Sequence, residues 1–427
     1  MIILKKLTSE LIICNVYKEI ASDMNKKTNI QVSPVVKAIS PSGTIEVKDK
    51  VRALSEKGIN VISFATGEPD FDTPKNIKEA AYRAIDEGFT KYPPVSGIKE
   101  LKNAISNKYK IDNLVLFKED EIIVSNGAKQ VLYELLLSTC SFHDKVMIPT
   151  PCWVSYPEQV KMVGASPLYA KTNEKDNFSL KFKDIQDSYN KDVKIILLNN
   201  PNNPSGSVYD KEELKKIGYF ALENNILLVI DEIYEKLVYE DNFCSLVSLD
   251  DEFKNICFTV NGFSKTYAMT GWRIGYGIGP KRIIKSMNKL QGHISSGVNS
   301  IAQKAAVEAL MGPQDFVAVM KNEYMKRRDY MVEKLNSIRN INCKIPMGSF
   351  YVFPNISGLY GGKYNDEVLF NEADVVNYLL EEAHVAAVPG SVFHYNDHIR
   401  LTYAISFGEI KEGLNRIEDA IKKLCFK

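Results

Sequence analysis

Residues 255–273 read NICFTVNGFSKTYAMTGWR. The stretch opens with a short apolar, β-branched and aromatic run, the pattern of a buried strand. It passes directly into a polar loop that carries Ser264, Lys265 and Arg273. Similar runs stand at 121–124 (EIIV), 145–148 (KVMI), 193–198 (VKIILL) and 226–230 (ILLVI). Between them lie amphipathic stretches that predict helices over 74–88, 128–140, 153–163 and 210–224. The first has proline in its opening turn, where a missing N–H does no harm. The last has Asp210 as its N-cap. Strand–helix alternation of this kind predicts an α/β fold with a mainly parallel sheet covered on both faces.

From residue 318 the rhythm changes. A long charged helix over 319–337 precedes a strand region GSFYVF (348–353), a helix near 373–383, the strand IRLTYA (399–404) and a terminal helix over 410–424. The expected organisation is therefore a large domain over 74–317 and a smaller α+β domain from 29–73 and 318–427. Residues 1–28 are expected to form a loosely ordered extension. Their apolar run Leu11-Ile12-Ile13-Cys14 is too short to span a bilayer. Glu10, Glu19 and Asp23, with Arg52 as the first arginine, do not fit a mitochondrial presequence.

Composition narrows the function class. The chain has 427 residues, 45% hydrophobic and 25% charged, an ordinary globular profile. A net charge of +1 gives no reason to expect a nucleic-acid or membrane partner. The 7 cysteines are odd in number and none forms a CxxC pair. That usage fits a reducing compartment, taken as the cytoplasm, and argues against a zinc site. His143, His293, His384, His394 and His398 form no ligand set, so no metal is expected.

In an open α/β sheet, ligands bind at the carboxyl ends of the strands. Four loops there carry unusual residues. Ser125-Asn126-Gly127-Ala128-Lys129-Gln130 runs from a strand into a helix N-terminus, whose free N–H groups form an anion site. By itself it also reads as an ordinary tight turn. NNPNNPSG (199–206) holds two Asn-Pro pairs that stiffen the backbone around amide side chains. Asp231 ends an apolar strand, where an acid needs a cationic partner or caps the next helix. A protonated pyridine nitrogen is one such partner. Lys265 follows a buried strand, where desolvation turns a lysine into an amine nucleophile. Ser264 and Arg273 bracket it and suit a phosphate dianion.

These loops sit within longer motifs: TGEPDFDTP (66–74), KYPPVSG (91–97), SNGAKQ (125–130), WVSYPE (153–158), NNPNNPSG (199–206), DEIYE (231–235), SKTYAMTGWRIGY (264–276), GSFYV (348–352) and VPGSVF with IRLTYA (388–404). In them the chain resembles the fold-type I pyridoxal-phosphate enzymes, specifically class I aminotransferases of the prokaryotic-type (Iγ) aspartate aminotransferase branch. The resemblance runs from about Val32 to the C-terminus. It implies a seven-stranded large-domain sheet, pyridoxal 5'-phosphate as cofactor and a homodimer with composite active sites.

The resemblance also implies roles. Lys265 matches the lysine that carries the cofactor and moves the substrate α-proton. Asp231 matches the partner of the pyridine nitrogen. Tyr234 and Asn203 match donors to the phenolic oxygen, and Trp153 the ring-stacking residue. Ser264, Arg273 and the N–H groups of Gly127, Ala128 and Lys129 match the phosphate cradle, which Tyr92 joins from the neighbouring subunit. Arg400 matches the bidentate partner of the substrate α-carboxylate, assisted by Gly67. Animal and enteric relatives read a distal carboxylate with an arginine, but residues 290–303 (LQGHISSGVNSIAQ) contain none. In the prokaryotic branch the task falls to a lysine and a hydroxyl at the positions of Lys129 and Thr44.

The function this implies is ping-pong transamination between aspartate or glutamate and a 2-oxo acid such as 2-oxoglutarate or oxaloacetate. Prephenate, aromatic, alanine or kynurenine transamination, or a related lyase, are alternatives within the fold. A non-catalytic cofactor-binding scaffold is the alternative of another class, and it does not call for all of Lys265, Asp231, Tyr234 and Arg400.

Overall fold

The apolar runs become strands β1 Ile122–Ser125, β2 Lys145–Thr150, β3 Ser166–Lys171, β4 Val193–Asn199, β5 Leu227–Asp231, β6 Cys257–Gly262 and β7 Gly275–Ile278. This computed structural model describes residues 32–41, 43–240, 243–365 and 367–426. The expected extension over 1–28 lies outside the described residues, and the short helix Pro34–Lys37 precedes the unit that begins at Pro41.

The seven strands form one sheet in the order β1-β7-β6-β5-β4-β2-β3. Strands β2 to β6 pair in parallel, whereas β7 runs antiparallel to both β1 and β6. Alternate residues enter opposite layers. Ile123, Leu197, Val229 and Phe258 pack with the helices Ala128–Thr139, Ser155–Met162 and Lys281–Ile294. Ile196, Leu198, Leu228 and Ile230 pack on the other face, with the helix Lys211–Glu223. A sheet covered on both faces needs side chains that are apolar in both directions, so its central strands show no polar alternation. Asp210 caps the helix Lys211–Glu223 by accepting from the N–H groups of Glu212 and Glu213.

The C-terminal part builds a separate antiparallel sheet from β8 Tyr351–Val352, β9 Val388–Pro389 and β10 Ile399–Thr402, with β10 in the middle. The helices Asp315–Ser337, Glu372–Glu382 and Phe407–Lys422 pack their apolar sides against it. Residues N-terminal to the large sheet join the same part. Ile62–Ser63 pairs in parallel with Val385–Ala386, and Val47 of the helix Gly43–Glu56 packs with Val388 and Phe393. No described helix is long and apolar enough to cross a membrane.

Several expected elements shift in the structure. The strand expected over 348–353 contracts to Tyr351–Val352, and the helix expected over 153–163 begins at Ser155, after a loop that carries Trp153 into the cavity wall. Pro74 stands just before the helix Lys75–Asp86, in the N-cap position, rather than in its first turn.

Candidate active site

Strand ends set the geometry. Asn199 pairs with Asp231 at the ends of β4 and β5, and Ser125, Gly262 and Gly275 lie level across β1, β6 and β7. Because β7 is antiparallel, its beginning reaches the edge where the other strands end. The loop from β6 to β7 therefore delivers Ser264, Lys265 and Arg273 to the same edge as Asp231 and the turn at 125–130. A cavity of about 390 Å³ opens there.

Lys265 points into this cavity and donates a hydrogen bond to the Gly67 carbonyl. Burial pushes its ammonium down to about 8, with Arg400 and Arg273 acting in the same sense and Glu68 and Asp231 against it. The side chain is thus an amine poised near neutrality. Asp231 is buried at the end of β5, where its carboxylate accepts from Tyr156 Oη at 2.9 Å and from the Ile233 N–H at 3.1 Å. Burial outweighs those two bonds and pushes the carboxyl up to about 6. An acid held this way is short of positive charge, and a cationic ring nitrogen would complete it.

The anion site lies at the start of the helix Ala128–Thr139. Gly127, its N-cap, has φ of 88°, and a Cβ there would sit 2.7 Å from Arg273 Nη2. Only glycine lets the guanidinium lie against the turn. Arg273 is held by the carbonyls of Thr270 and Asn126, at 3.0 and 3.3 Å. Lys129 lines the cavity with its ammonium 4.8 Å from the Trp153 ring centre, and burial, then the Arg273 charge, lower its pKa. Helix N–H groups, a guanidinium and the buried Ser264 hydroxyl form a cradle suited to a phosphate dianion.

Arg400 comes from β10 and is 2% exposed. It donates from Nη1 to Asn203 Oδ1 and from Nη2 to the Ala65 carbonyl, both at 3.1 Å, and lies 4.3 Å from the Tyr351 ring centre. Its buried Nε has no hydrogen-bond partner among the described residues. A buried guanidinium held by neutral groups alone attracts an anion. Asn203 is fixed by the Asn199 side chain, which accepts from its N–H at 2.8 Å. Since Oδ1 of Asn203 already accepts from Arg400, its amide NH₂ is left as the donor end. Tyr234 meets Tyr351 hydroxyl to hydroxyl at 3.2 Å.

The cavity brings together Thr44, Gly67, Ala128, Lys129, Trp153, Asn203, Asp231, Tyr234, Ser264, Lys265, Arg273 and Arg400, with Gly127 behind Arg273. Tyr92 is not among its lining residues and is 94% exposed in the single chain. Tyr156, Tyr351, Glu68, Thr270 and Lys48 also line it without having been assigned roles from sequence. The two tyrosines lie inside the quoted motifs WVSYPE and GSFYV; motif membership was the available signal. Glu68 accepts from Thr270 Oγ1 at 2.9 Å and lies 3.8 Å from Lys48 Nζ.

A family model for class I and II aminotransferases matches residues 59–417. An Aquifex aeolicus protein described as a probable aspartate/prephenate aminotransferase is 44% identical over 91% of this chain and 98% of its own. The crystal structure of the aspartate aminotransferase from Rhizobium meliloti superposes with a TM-score of 0.90 at 37% identity, covering 93% of this chain and all of that one. Thermus thermophilus aspartate aminotransferase with maleate superposes at 0.86 and 36% identity, covering 91% and 99%. The chain belongs to the class I and II aminotransferases. It is an enzyme of the pyridoxal 5'-phosphate-dependent, fold-type I kind.

Proposed function

We propose that this enzyme transfers the amino group between a dicarboxylic amino acid, aspartate or glutamate, and the matching 2-oxo acids. One observation carries this reading: Lys129 and Arg400, cations from separate elements, line the cavity that also holds the Lys265 amine. With Arg273 on the phosphate cradle, each of three anions (phosphate, α-carboxylate and distal carboxylate) has its own cation. The maleate-bound Thermus relative, whose ligand is a dicarboxylate, supports it.

When bound, pyridoxal 5'-phosphate supplies an electrophilic carbonyl and a ring that stores the electron pair left by α-proton loss. The chain's residues do the rest. Arg400 binds the α-carboxylate through its two-pronged guanidinium, with Gly67 beside it. Lys265 Nζ, which burial leaves largely free of its proton above about pH 8, takes the α-proton as a base. Asp231 would hold the ring nitrogen in its protonated form. The Asn203 amide and Tyr234 hydroxyl would hold the phenolic oxygen, and Trp153 would hold the ring. Ser264, Arg273 and the N–H groups of Gly127, Ala128 and Lys129 hold the phosphate. Lys129, with Thr44, reads the distal carboxylate.

Lys129→Ala should remove a charge-assisted hydrogen bond, about 1.5–3 kcal/mol, from turnover of aspartate. Phenylalanine should lose far less. Comparing kcat/KM for the two substrates decides the matter: equal losses would mean that Lys129 serves the phosphate alone. The same ammonium is less selective in direction than a guanidinium. A ring-bearing dicarboxylate such as prephenate is therefore the second reading, favoured by the name of the Aquifex relative.

We further propose that the working form is a cytoplasmic homodimer, its subunits divided into the 74–317 domain and the 29–73 with 318–427 domain. The exposed Tyr92 of KYPPVSG would then reach the neighbour's phosphate cradle. A hybrid of Lys265→Ala and Tyr92→Phe subunits contains one site with both residues intact. It should exceed the mean activity of its two parents. A hybrid at that mean, or a fully active monomer, rules composite sites out.

A further inference from the structure

Behind the phosphate turn lies a buried polar cluster that the reaction scheme does not use. Ser125 ends β1, Glu134 sits one and a half turns into the helix Ala128–Thr139, and Gln291 reaches in from the helix Lys281–Ile294; Glu134 and Gln291 are both fully buried. Ser125 Oγ touches two oxygens at once: Glu134 Oε2 at 2.8 Å, and Gln291 Oε1.

Counting protons decides the state of this contact. Gln291 Nε2 donates to the carbonyls of Val95 and Val124. Flipping the amide would set its oxygen against two carbonyl oxygens, so Oε1 must face Ser125. The serine hydroxyl has one hydrogen and cannot donate to both Gln291 and Glu134. Three oxygens in a row need two protons, and of the three only Glu134 can carry the second. Its other oxygen accepts from Gln130 Nε2 at 2.7 Å, as the carbonyl end of an acid does.

The surroundings agree. Burial raises the Glu134 pKa, opposed by the bonds from Gln130 and Ser125. Among the described residues no cation offsets the loss of water. The facing groups are Ser125 from β1, Gln130 from its own helix and Gln291 from the helix Lys281–Ile294. The helix Ser155–Met162, packed alongside, bonds the Lys129 carbonyl through Gln159 and sends no charge to Glu134.

We infer that Glu134 is a positioning residue for the phosphate turn and acts as a neutral acid. Its proton completes the contact with Ser125 and Gln291, which ties the turn at 125–130 to the segment at 91–97 through Val95. Gln130, the other partner of Glu134, accepts from Asn126 Nδ2 at 3.0 Å, so both ends of the turn hang on one carboxyl group. Ionisation would break the tie and place a negative charge behind a site built for a dianion. The link to cofactor retention rests on the phosphate site proposed above; the protonation state does not.

The first test needs no cofactor. Infrared difference spectra of wild type and Glu134→Gln apoenzyme should show a protonated-carboxyl C=O band at neutral pH that the variant lacks. In wild type alone the band should fade on raising the pH. Its absence at neutral pH overturns the inference. The second test is pyridoxal 5'-phosphate binding. Relative to Glu134→Gln, whose amide donates to Ser125 at every pH, wild-type Kd should rise by up to about tenfold per pH unit once Glu134 ionises. Glu134→Ala should bind more weakly at all pH values. A Kd ratio between wild type and Glu134→Gln that stays constant across the pH range in which the band fades overturns the positioning role. A band together with no cofactor binding by either protein would instead refute the phosphate site and leave the neutral acid standing.

Discussion

Lys265→Ala should yield a folded protein that takes up pyridoxal 5'-phosphate only reversibly and has lost turnover by at least about 10²–10⁴-fold, the range for removal of a general base. The loss is expected to be the largest of any single substitution, because one amine both carries the cofactor and moves the α-proton. Its surroundings prepare it for both tasks: burial pushes its pKa down to about 8. Borohydride reduction of the wild type followed by peptide mass mapping checks the assignment. A pyridoxyl group on any other lysine ends it. Stability gives a second, cofactor-free readout. Folding lowers this lysine's pKa, so between about 8 and the ordinary value of 10.5 the unfolded chain binds more protons. Wild-type apoenzyme should therefore gain stability relative to Lys265→Met as pH rises through that window. A difference indifferent to pH contradicts the burial of the amine.

Asp231→Asn should have the next largest effect. Removing one partner of a buried charge pair costs about 3–5 kcal/mol, so both cofactor affinity and turnover should fall by more than about a hundredfold. The pH dependence has a definite sign. Burial raises the Asp231 carboxyl from 3.8 to about 6. Above about 6 it is ionised and attracts a protonated ring nitrogen; as pH falls through about 6 it becomes neutral and that attraction goes. Wild-type affinity for pyridoxal 5'-phosphate should drop on acidification through this point. The asparagine variant, with nothing to titrate there, should lack that step. Titrations monitored by cofactor absorbance on both sides of pH 6 read this directly. Equal affinities in the two proteins would remove Asp231 from the ring nitrogen.

Much of this site was legible because its residues follow apolar strands too short to be anything else. Asp231 ends β5, and Lys265 follows β6 closely. Two strands of the sheet escaped for opposite reasons. Strand β3 (SPLYAK) lies at the edge, mostly open to solvent, and lacks an apolar run. Strand β7 (GYGI) is half glycine and reads as a loop. Its glycines answer to neighbours that no local pattern reveals. A Cβ on Gly277 would meet Phe258 at 2.6 Å and Val131 at 2.7 Å, and one on Gly275 would meet the Ala128 N at 2.4 Å. The helices Lys99–Asn113 and Lys281–Ile294 were also missed, and neither begins with a capping side chain. The contact of Tyr156 with Asp231 spans 75 residues and that of Tyr351 with Tyr234 spans 117. Such pairings arise from the packing of whole elements, which one sequence does not spell out.

The reversed strand β7 has a practical consequence for re-engineering the chain. Lys265 and Arg273 belong to one hairpin between adjacent strands, while Asp231 and the turn at 125–130 arrive on separate segments. The spacing between the reactive amine and the phosphate clamp is thus a property of a single loop. New chain ends or an inserted module placed within 266–272 would uncouple the two ends of the cofactor at one stroke. Similar surgery in the exposed turn at Lys191 and Asp192, just before β4 begins and so at the edge of the sheet away from the active centre, would leave that spacing untouched.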